Sequence, residues 1–530
     1  MLNEPVFLIT MRYGGLLFIL AILSVTAVAQ RKGEPFVRNE LLVKFRHGVT
    51  KAKIADTNSR FGHQLLETLG TSGWQRIRLG KGQDPKRAAA ALQQEPEIEF
   101  AQPNFYYRLA ATPNDPQWGN AALYGLPKIS APAAWDLSTG SSTVVVANID
   151  SGMRYTHEDL APNMWNNPGE IQGNGMDDDN NGFADDYFGY DFFFNDPDPI
   201  DEHGHGTHVG GTIGAAGNNS LGVVGVNWNV KLMAIKIYNN TGFGTTSAML
   251  INAYNYVRLM KERGINIRVT NNSYAGCDEA CGYDQATKDA IDALGDSGVL
   301  NVFAAGNNAW NNDTTAAPAY PAAYTSPSIL TAAASNSADA KAGFSNWGPV
   351  TVDMAAPGQS ILSTTNGSNS SYGNSSGTSM AAPHITGAAA LLAAFNPSLS
   401  AASLKATLMN TGDALTGWDA TPIKTNRRLN VFNALQNPTT CSLSLSVNTV
   451  RVSRKGGYVD IDVTSGQNCD FRIRGDRRWI RVQGLGATSG SGTVRIYLDP
   501  SPYLTRSGSL MIGDTTIAVQ QGSNANFPKS

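Results

Sequence analysis

The sequence predicts an α/β protein built on a doubly wound, mostly parallel central sheet, with a small α+β region before it and an all-β sandwich after it. Three observations predict this. Short apolar runs in the middle of the chain alternate with helical stretches, so the strands are expected to be buried on both faces. The region before them mixes alternating and helical patterns. Beyond about residue 440, alternating runs are separated by turns with no helical period. At 530 residues the chain exceeds what one core organises, so several domains are expected.

The elements follow in order. Residues 1–29 read as an export signal: Arg12 follows Met11, an apolar stretch runs from Leu16 to Val25, and Ala27-Val28-Ala29 gives the small-x-small cleavage pattern before Gln30. A membrane anchor is the alternative, disfavoured by that pattern, and no later segment is expected to span a bilayer. Residues 30–111 form the α+β region, with ELLVKF (40–45) as a strand, DPKRAAAALQQE (84–95) as a helix and IEFAQPNFYY (98–107) as a closing strand. Residues 112–437 carry the β/α rhythm. TVVVANID (143–150), VKLMAIKIY (230–238), INIRVTNNS (265–273) and VLNVFAAGN (299–307) are expected strands, with helices over 247–264 and 287–298. NPTT (437–440) reads as a linker, and 438–530 as the sandwich and tail.

A net charge of −3 and the lack of a basic stripe argue against nucleic acid as a partner. Of the four cysteines, pairing 277 with 281 and 441 with 469 keeps each bridge within one expected domain; free thiols are the alternative for both pairs.

Chemistry concentrates in three stretches of the central region. NIDSG (148–152) puts Asp150 at a strand end, HGHGTHVGGTIG (203–214) puts His205 where a glycine-rich turn enters a helix, and GTSMAAPH (377–384) puts Ser379 at a helix start among small residues. In α/β sheets, reactive groups gather at the carboxyl ends of strands. A serine hydroxyl becomes a nucleophile when a neutral imidazole takes its proton and a carboxylate orients that imidazole. Taken singly, each site is better read as a turn or a helix cap; the three together point to that relay. AAGN (304–307) adds Asn307, whose amide can donate to an oxyanion beside the Ser379 N–H.

The combination VVVANIDSG, HGTHVGGT, TNNSYAG, AAGN and GTSMAAPHITG resembles the subtilases, the subtilisin-like serine peptidases, over nearly all of 112–437. The triad and its Asp-His-Ser order are established for that family. The resemblance implies a subtilisin-like fold and a serine endopeptidase, with Asp150 as the orienting carboxylate, His205 as general acid/base, Ser379 as nucleophile and Asn307 as oxyanion donor. His208 and His384 then read as packed neighbours. No triad or oxyanion residue is lost, which argues against a non-catalytic binding protein on this scaffold; an esterase would share the triad but has no reason for a prodomain. The resemblance also implies that Ser273, Tyr274 and Ala275 line one wall of the S1 pocket and Ala304, Ala305 and Gly306 the other. Ala319 falls at the floor. Ala275 and Ala319 replace family glycines, so a medium apolar P1 residue is expected; Asp278 and Glu279 in CDEAC (277–281) are expected to face solvent, with attraction of basic substrates as the alternative.

Structural calcium is the implied cofactor, at one to three sites. The loop GNNSLGVVG (217–225) resembles the strong site, with Gly217, Asn219, Leu221 and Val223, completed by Asp159 and by Asp115 or Gln117. A second cluster is Asp191, Asp196 and Asp198. A third is legible without the family: in GNGMDDDNNGFADDYFG (173–189), Asp177, Asp179 and Asn181 alternate before a glycine, with Asp185 or Asp186 following, as in the first half of a calcium loop. Solvated acidic loops are the alternative. Residues 34–108 resemble the inhibitory prodomain, cut between about Tyr107 and Pro113, so polypeptide substrates and the chain's own prodomain are the implied partners of a secreted, self-processing zymogen. The C-terminal segment is similar to BACON-type sandwiches, implying carbohydrate or mucin contact or, equally, a stabilising spacer.

Overall fold

A computed structural model describes residues 36–106, 111–274, 283–483, 487–503 and 505–522. The export signal, the CDEAC stretch and Ala275 lie outside them, as do residues 107–110 of the expected cut region. The chain divides into two units at Leu109/Ala110.

In the first unit, strands β1 (Phe36–Phe45), β2 (Gln64–Leu69), β3 (Trp74–Arg78) and β4 (Ile98–Phe105) form a sheet in the order β2-β3-β1-β4. Its pairings are antiparallel. Helices α1 (Lys51–Arg60) and α2 (Pro85–Leu92) accompany it. The start of α2 is fixed by Asp84, which accepts from Arg87 N, and by Pro85 in the first turn. Leu41, Val43, Ile77, Leu92 and Ile98 form the core.

The second unit holds the central sheet. Its strands are β5 (Gly140–Asp150), β6 (Gly189–Asp191), β7 (Asn229–Lys236), β8 (Ile267–Asn272), β9 (Leu300–Ala304), β10 (Ile329–Ser335) and β11 (Met354–Pro357), with a separate hairpin β12 (Ile361–Thr364) and β13 (Tyr372–Ser375) and an edge pair β14 (Asp413–Ala414) and β15 (Arg427–Arg428). The sheet order is β14-β15-β11-β10-β9-β8-β5-β7-β6. Every pairing from β6 to β15 across it is parallel; only the edge pair is antiparallel. Two short helices, α3 (Gly125–Lys128) and α4 (Ala131–Trp135), precede β5. They are followed by α5 (His205–Gly214), α6 (Ser247–Glu262), α7 (Gln285–Asp296), α8 (Thr378–Phe395), α9 (Ala401–Thr411) and α10 (Val431–Gln436).

The side-chain period of two explains the double winding. Val144 and Val146 of β5 point into the core that contains α8 residues such as Ile385 and Leu391. Val145, Ala147 and Ile149 point into the opposite core, with Tyr254 and Val257 of α6 and Ile291 of α7. The apolar runs were therefore legible as two-sided strands. The chain leaves β5 for β7 on one side and then returns to β8 on the other, so the order reverses at β5. Crevices form at the carboxyl ends of such strands. Among the described residues, α8 is long and apolar enough to cross a bilayer, contrary to the expectation above, but 89% of it is buried inside the protein. It is a core helix, and its many alanines let it lie close to the sheet.

The sandwich stacks β16 (Ser444–Leu445), β18 (Gly457–Thr464), β22 (Gly492–Leu498) and β20 (Ile480–Val482) against a second sheet. That sheet contains β17 (Thr449–Ser453), β24 (Thr515–Gly522), β23 (Thr505–Ile512), β19 (Asp470–Gly475) and β21 (Ala487–Ser489). Ile461, Ile496, Leu510, Ile517 and Val519 fill its core. Cys441 and Cys469 are disulfide-bonded; the 277/281 pair lies outside the described residues. The expected linker is pinned rather than free: Thr439 N donates to Thr407 Oγ1 and Cys441 N to Ser403 Oγ, both on α9.

Candidate active site

Asp150 ends β5 at the reversal point and is 2% exposed. Its Oδ1 accepts from Ser151 N at 2.7 Å and from His205 Nδ1 at 2.7 Å. A carboxylate only accepts, so Nδ1 carries the proton and Nε2 keeps its lone pair. Burial lowers the affinity of the His205 ring for a second proton, but the charge and hydrogen bond of Asp150 outweigh it, and the pKa is raised.

The helix that starts at His205 is set by a residue the sequence analysis did not single out. Asp201 Oδ1 accepts from His203 N, Gly204 N and Ser151 Oγ, and Oδ2 from Thr207 N and Oγ1. It takes the N–H of Thr207 and those of the turn before α5, and through Ser151 Oγ, which accepts from Gly206 N, ties the helix start to the residue after Asp150. Its signal was its place just ahead of a glycine-rich helix start. Gly206 is required here, because a Cβ would lie 2.0 Å from Gly152 O and 3.2 Å from Asp150 Cβ. His208 donates through Nε2 to Ile361 O and Gly373 O, and His384 donates through Nδ1 to Met380 O. Both rings are buried, which pushes their pKa down to about 4.

Ser379 sits at the second position of α8, half-buried. Its Oγ donates to Ser273 O at 3.0 Å, and Ser273 Oγ donates back to Ser379 O at 3.0 Å. The hydroxyl is thus held by Ser273 rather than by His205. Catalytic hydrogen bonds commonly form only once substrate is bound. Asn307 follows β9 by three residues. Its Oδ1 accepts from Thr378 N at 2.8 Å and Thr378 Oγ1 at 3.0 Å, so Nδ2 is the end left to donate. A Cβ on Gly377 would lie 3.4 Å from that Nδ2. The Ser379 N–H, one of the first N–H groups of α8, has no intrahelical acceptor.

Ser273 and Tyr274 follow β8, and Ala304, Ala305 and Gly306 lie at the end of β9, so parallel pairing puts the two expected S1 walls side by side. Ala319 lies beside Gly306: a Cβ on Gly306, at φ +103°, would meet Ala319 Cβ at 3.1 Å and Asn346 Nδ2 at 2.5 Å. Tyr274 turns inward, its hydroxyl bonded to Tyr254 and to Asn272 Oδ1, which leaves backbone to the expected wall at this position.

The profile of the subtilase family matches residues 141–438, and that of the fervidolysin N-terminal prodomain matches residues 23–104. The chain belongs to the subtilase family. A thermophilic serine proteinase from a Bacillus species is 31% identical over 77% of this chain and 90% of its own length. Thermitase of Thermoactinomyces vulgaris is 35% identical over 61% of this chain and 99% of its own, and subtilisin E of Bacillus subtilis is 30% identical over 73% and 88%. This subtilase is a serine peptidase, a hydrolase of peptide bonds, that carries a fervidolysin-type prodomain.

The acidic residues of this subtilase fall into three environments. Asp159 and Asp115 are buried around the 217–223 loop. Asp159 accepts from Asn219 Nδ2 and Val223 N, and Asp115 Oδ2 from Asn218 N, while Asp115 Oδ1 is buried with no partner among the described residues. Burial raises both pKa values. Asn219 Oδ1 caps Leu221 N, and Gln117 N donates to Gly222 O. Gly217 is hemmed in by Trp228. A buried pair of carboxyls with one orphaned oxygen fits a hard cation, although the loop groups seen against them are the N–H donors of Asn218, Asn219 and Val223.

The second cluster is built differently. Asp191 already faces a buried ammonium, Lys236 Nζ at 3.0 Å, and caps Phe193 N and Phe194 N. Asp196 and Asp198 cap backbone, with Tyr155 OH on Asp198. The sequence hid this because Lys236 is 45 residues away on β7. In the third cluster, Asp177 and Asp179 come together with Glu170, which the sequence analysis missed. Asp185 instead caps Gly173, Asn174 and Gly175 N–H groups. Asp186 is buried against Tyr256 OH at 2.5 Å, Asn167 and Asn181, and burial raises its pKa to about 6.

Proposed function

We propose that this chain is a secreted, calcium-stabilised serine endopeptidase made as a self-processing zymogen, with Asp150, His205, Ser379 and Asn307 as its catalytic groups. The observation that carries this reading is the 2.7 Å bond from His205 Nδ1 to Asp150, which leaves Nε2 free as a base on the helix facing the Ser379 helix.

A peptide enters between the ends of β8 and β9. Ser379 Oγ leaves the Ser273 carbonyl and attacks the scissile carbonyl carbon as its proton passes to His205 Nε2. The oxyanion accepts from the Ser379 N–H and from Asn307 Nδ2. Asp150 stabilises the imidazolium, which then protonates the leaving amine, and a water repeats the sequence to release the acid. Ala319 against Gly306 supports a preference for medium apolar P1 residues; a library profile dominated by Arg or Lys would contradict it. Ser379→Ala should leave the prodomain attached, and clean maturation of that purified variant would contradict self-processing.

Calcium would sit between Asp115 and Asp159, with Asn219 and the 217–223 carbonyls, and supplies charge compensation, not chemistry. A chelator should lower the Tm of the wild-type protein and leave that of Asp159→Ala nearly unchanged. Secretion rests on the signal pattern before Gln30 and is tested by N-terminal sequencing of the exported protein. For the sandwich, the buried ion pair that joins it to α9 favours stabilisation; carbohydrate or mucin contact is the second reading, tested on a glycan array.

A further inference from the structure

Two asparagines interrupt the central strands on the face that packs against α8. Asn148 lies two residues on from Val146, and Asn271 two from Val269; both are 0% exposed, and each follows an apolar residue on the same face of its strand. Asparagine is depleted in strands and costly to bury unless satisfied, so packing alone gives no reason for either. Their bonds form one connected set. Asn148 Nδ2 donates to Gly206 O, beside His205, at 3.1 Å. Asn271 Nδ2 donates to Asn148 Oδ1 at 3.1 Å and to Ser273 Oγ at 3.0 Å. Ser273 is bonded reciprocally to Ser379, and Thr386, two turns further along α8, donates to Asn271 Oδ1 at 3.1 Å. The set therefore runs from the first turn of α5 through β5 and β8 to two points on α8.

We propose that Asn148 and Asn271 are positioning residues that fix the distance between His205 and Ser379, the two groups between which the proton must pass. An apolar contact at these positions would hold the helices by shape only, whereas a satisfied buried network has one low-energy arrangement. The proposal rests on the assignment of His205 and Ser379 as base and nucleophile. Neither asparagine touches substrate; each acts through the helix it holds.

The test uses the mature protein carrying Asn148→Val or Thr386→Val, the latter nearly isosteric and the milder of the two. The quantities measured are kcat and KM on a peptide amide, the phosphonylation rate of Ser379 by a fluorophosphonate, and Tm. Thr386→Val should lower kcat and the phosphonylation rate together by about 10-fold and Asn148→Val by up to about 10²-fold, the range of a sub-ångström to 1 Å misplacement, with KM near wild type. Thr386→Ser should restore both rates. Wild-type kcat and phosphonylation rates in Thr386→Val, whatever its Tm, would overturn the proposal, and this variant decides if Asn148→Val does not fold. A wild-type protein that is not phosphonylated at Ser379 would instead overturn the catalytic assignment, and the proposal with it.

Discussion

At the scale of single residues, the site divides into groups with one job each. Asn307 is anchored by its oxygen and offers its nitrogen. Asn307→Ala should therefore lower kcat by about 10²–10³-fold with KM little changed, the magnitude known for a side-chain oxyanion donor in this enzyme class. A KM-dominated loss would place Asn307 in substrate binding. The raised His205 pKa fixes a second expectation. The imidazole acts as base only when neutral, so kcat/KM should fall as pH drops through a value above the ordinary 6.5. Asp150→Asn removes the charge that raises it; the acid limb should move down in pH while activity drops by about 10⁴-fold. An unmoved limb would mean that another group titrates. The motif residues at this scale were legible because glycines and small residues mark where backbones must approach. Lys236 against Asp191 was not, because pairing across 45 residues leaves no local pattern, and Glu170 beside Asp177 was not, because it stands outside the alternating acidic run.

At the scale of elements, α5 and α8 bring their N-termini to the reversal point of the sheet. Asp201 gathers the first turn of α5 and the Ser151 hydroxyl on one buried carboxylate. Asp201→Ala leaves several donors unsatisfied, and should cost about 2–4 kcal/mol in urea unfolding, beyond the usual N-cap loss. A change under about 0.5 kcal/mol would show that these donors find other partners. The buried strands were readable from their short apolar runs. Asn148 and Asn271 read only as breaks in those runs, since their meaning depends on facing each other across β5 and β8. Element ends were read less closely: the expected helix over 84–95 stops at Leu92, and the strand expected from 143 begins at Gly140.

At the scale of the whole molecule, the sandwich is fastened to the rest of the second unit rather than tethered. Lys405 on α9 is buried and meets Asp470 Oδ2 at 2.6 Å, while Arg472 and Arg474 reach Asp296 on α7 at 3.0 Å and 2.7 Å. Asn410 and Asn468 add side-chain bonds across the same seam. Burial opposes both charges of the Lys405–Asp470 pair, but the nearby opposite charges win: Asp353 and then Asp470 raise the lysine pKa, and Lys405 and then Lys424 lower the aspartate pKa. The aspartate's contribution is present above its ordinary pKa and lost as pH falls through the lowered one. A chain ending at residue 439 takes away Asp470, the ion-pair partner of Lys405, at a cost below the about 3–5 kcal/mol of a broken pair that stays buried, because solvent reaches the uncovered lysine. Its Tm should fall by several degrees, and Lys405→Met in the shortened chain should recover part of that. An unchanged Tm would make the sandwich an independent module. Alternation predicted a sandwich, but nothing local announced this seam, because its charges come from α7, α9 and β19.

The most direct test of the central claim is fluorophosphonate labelling of the mature protein with the adduct mapped by mass spectrometry. The account predicts one adduct per chain, on Ser379, formed in step with loss of peptidase activity and abolished by His205→Ala. Labelling at another residue, or full peptidase activity in a purified mature Ser379→Ala chain, would contradict it.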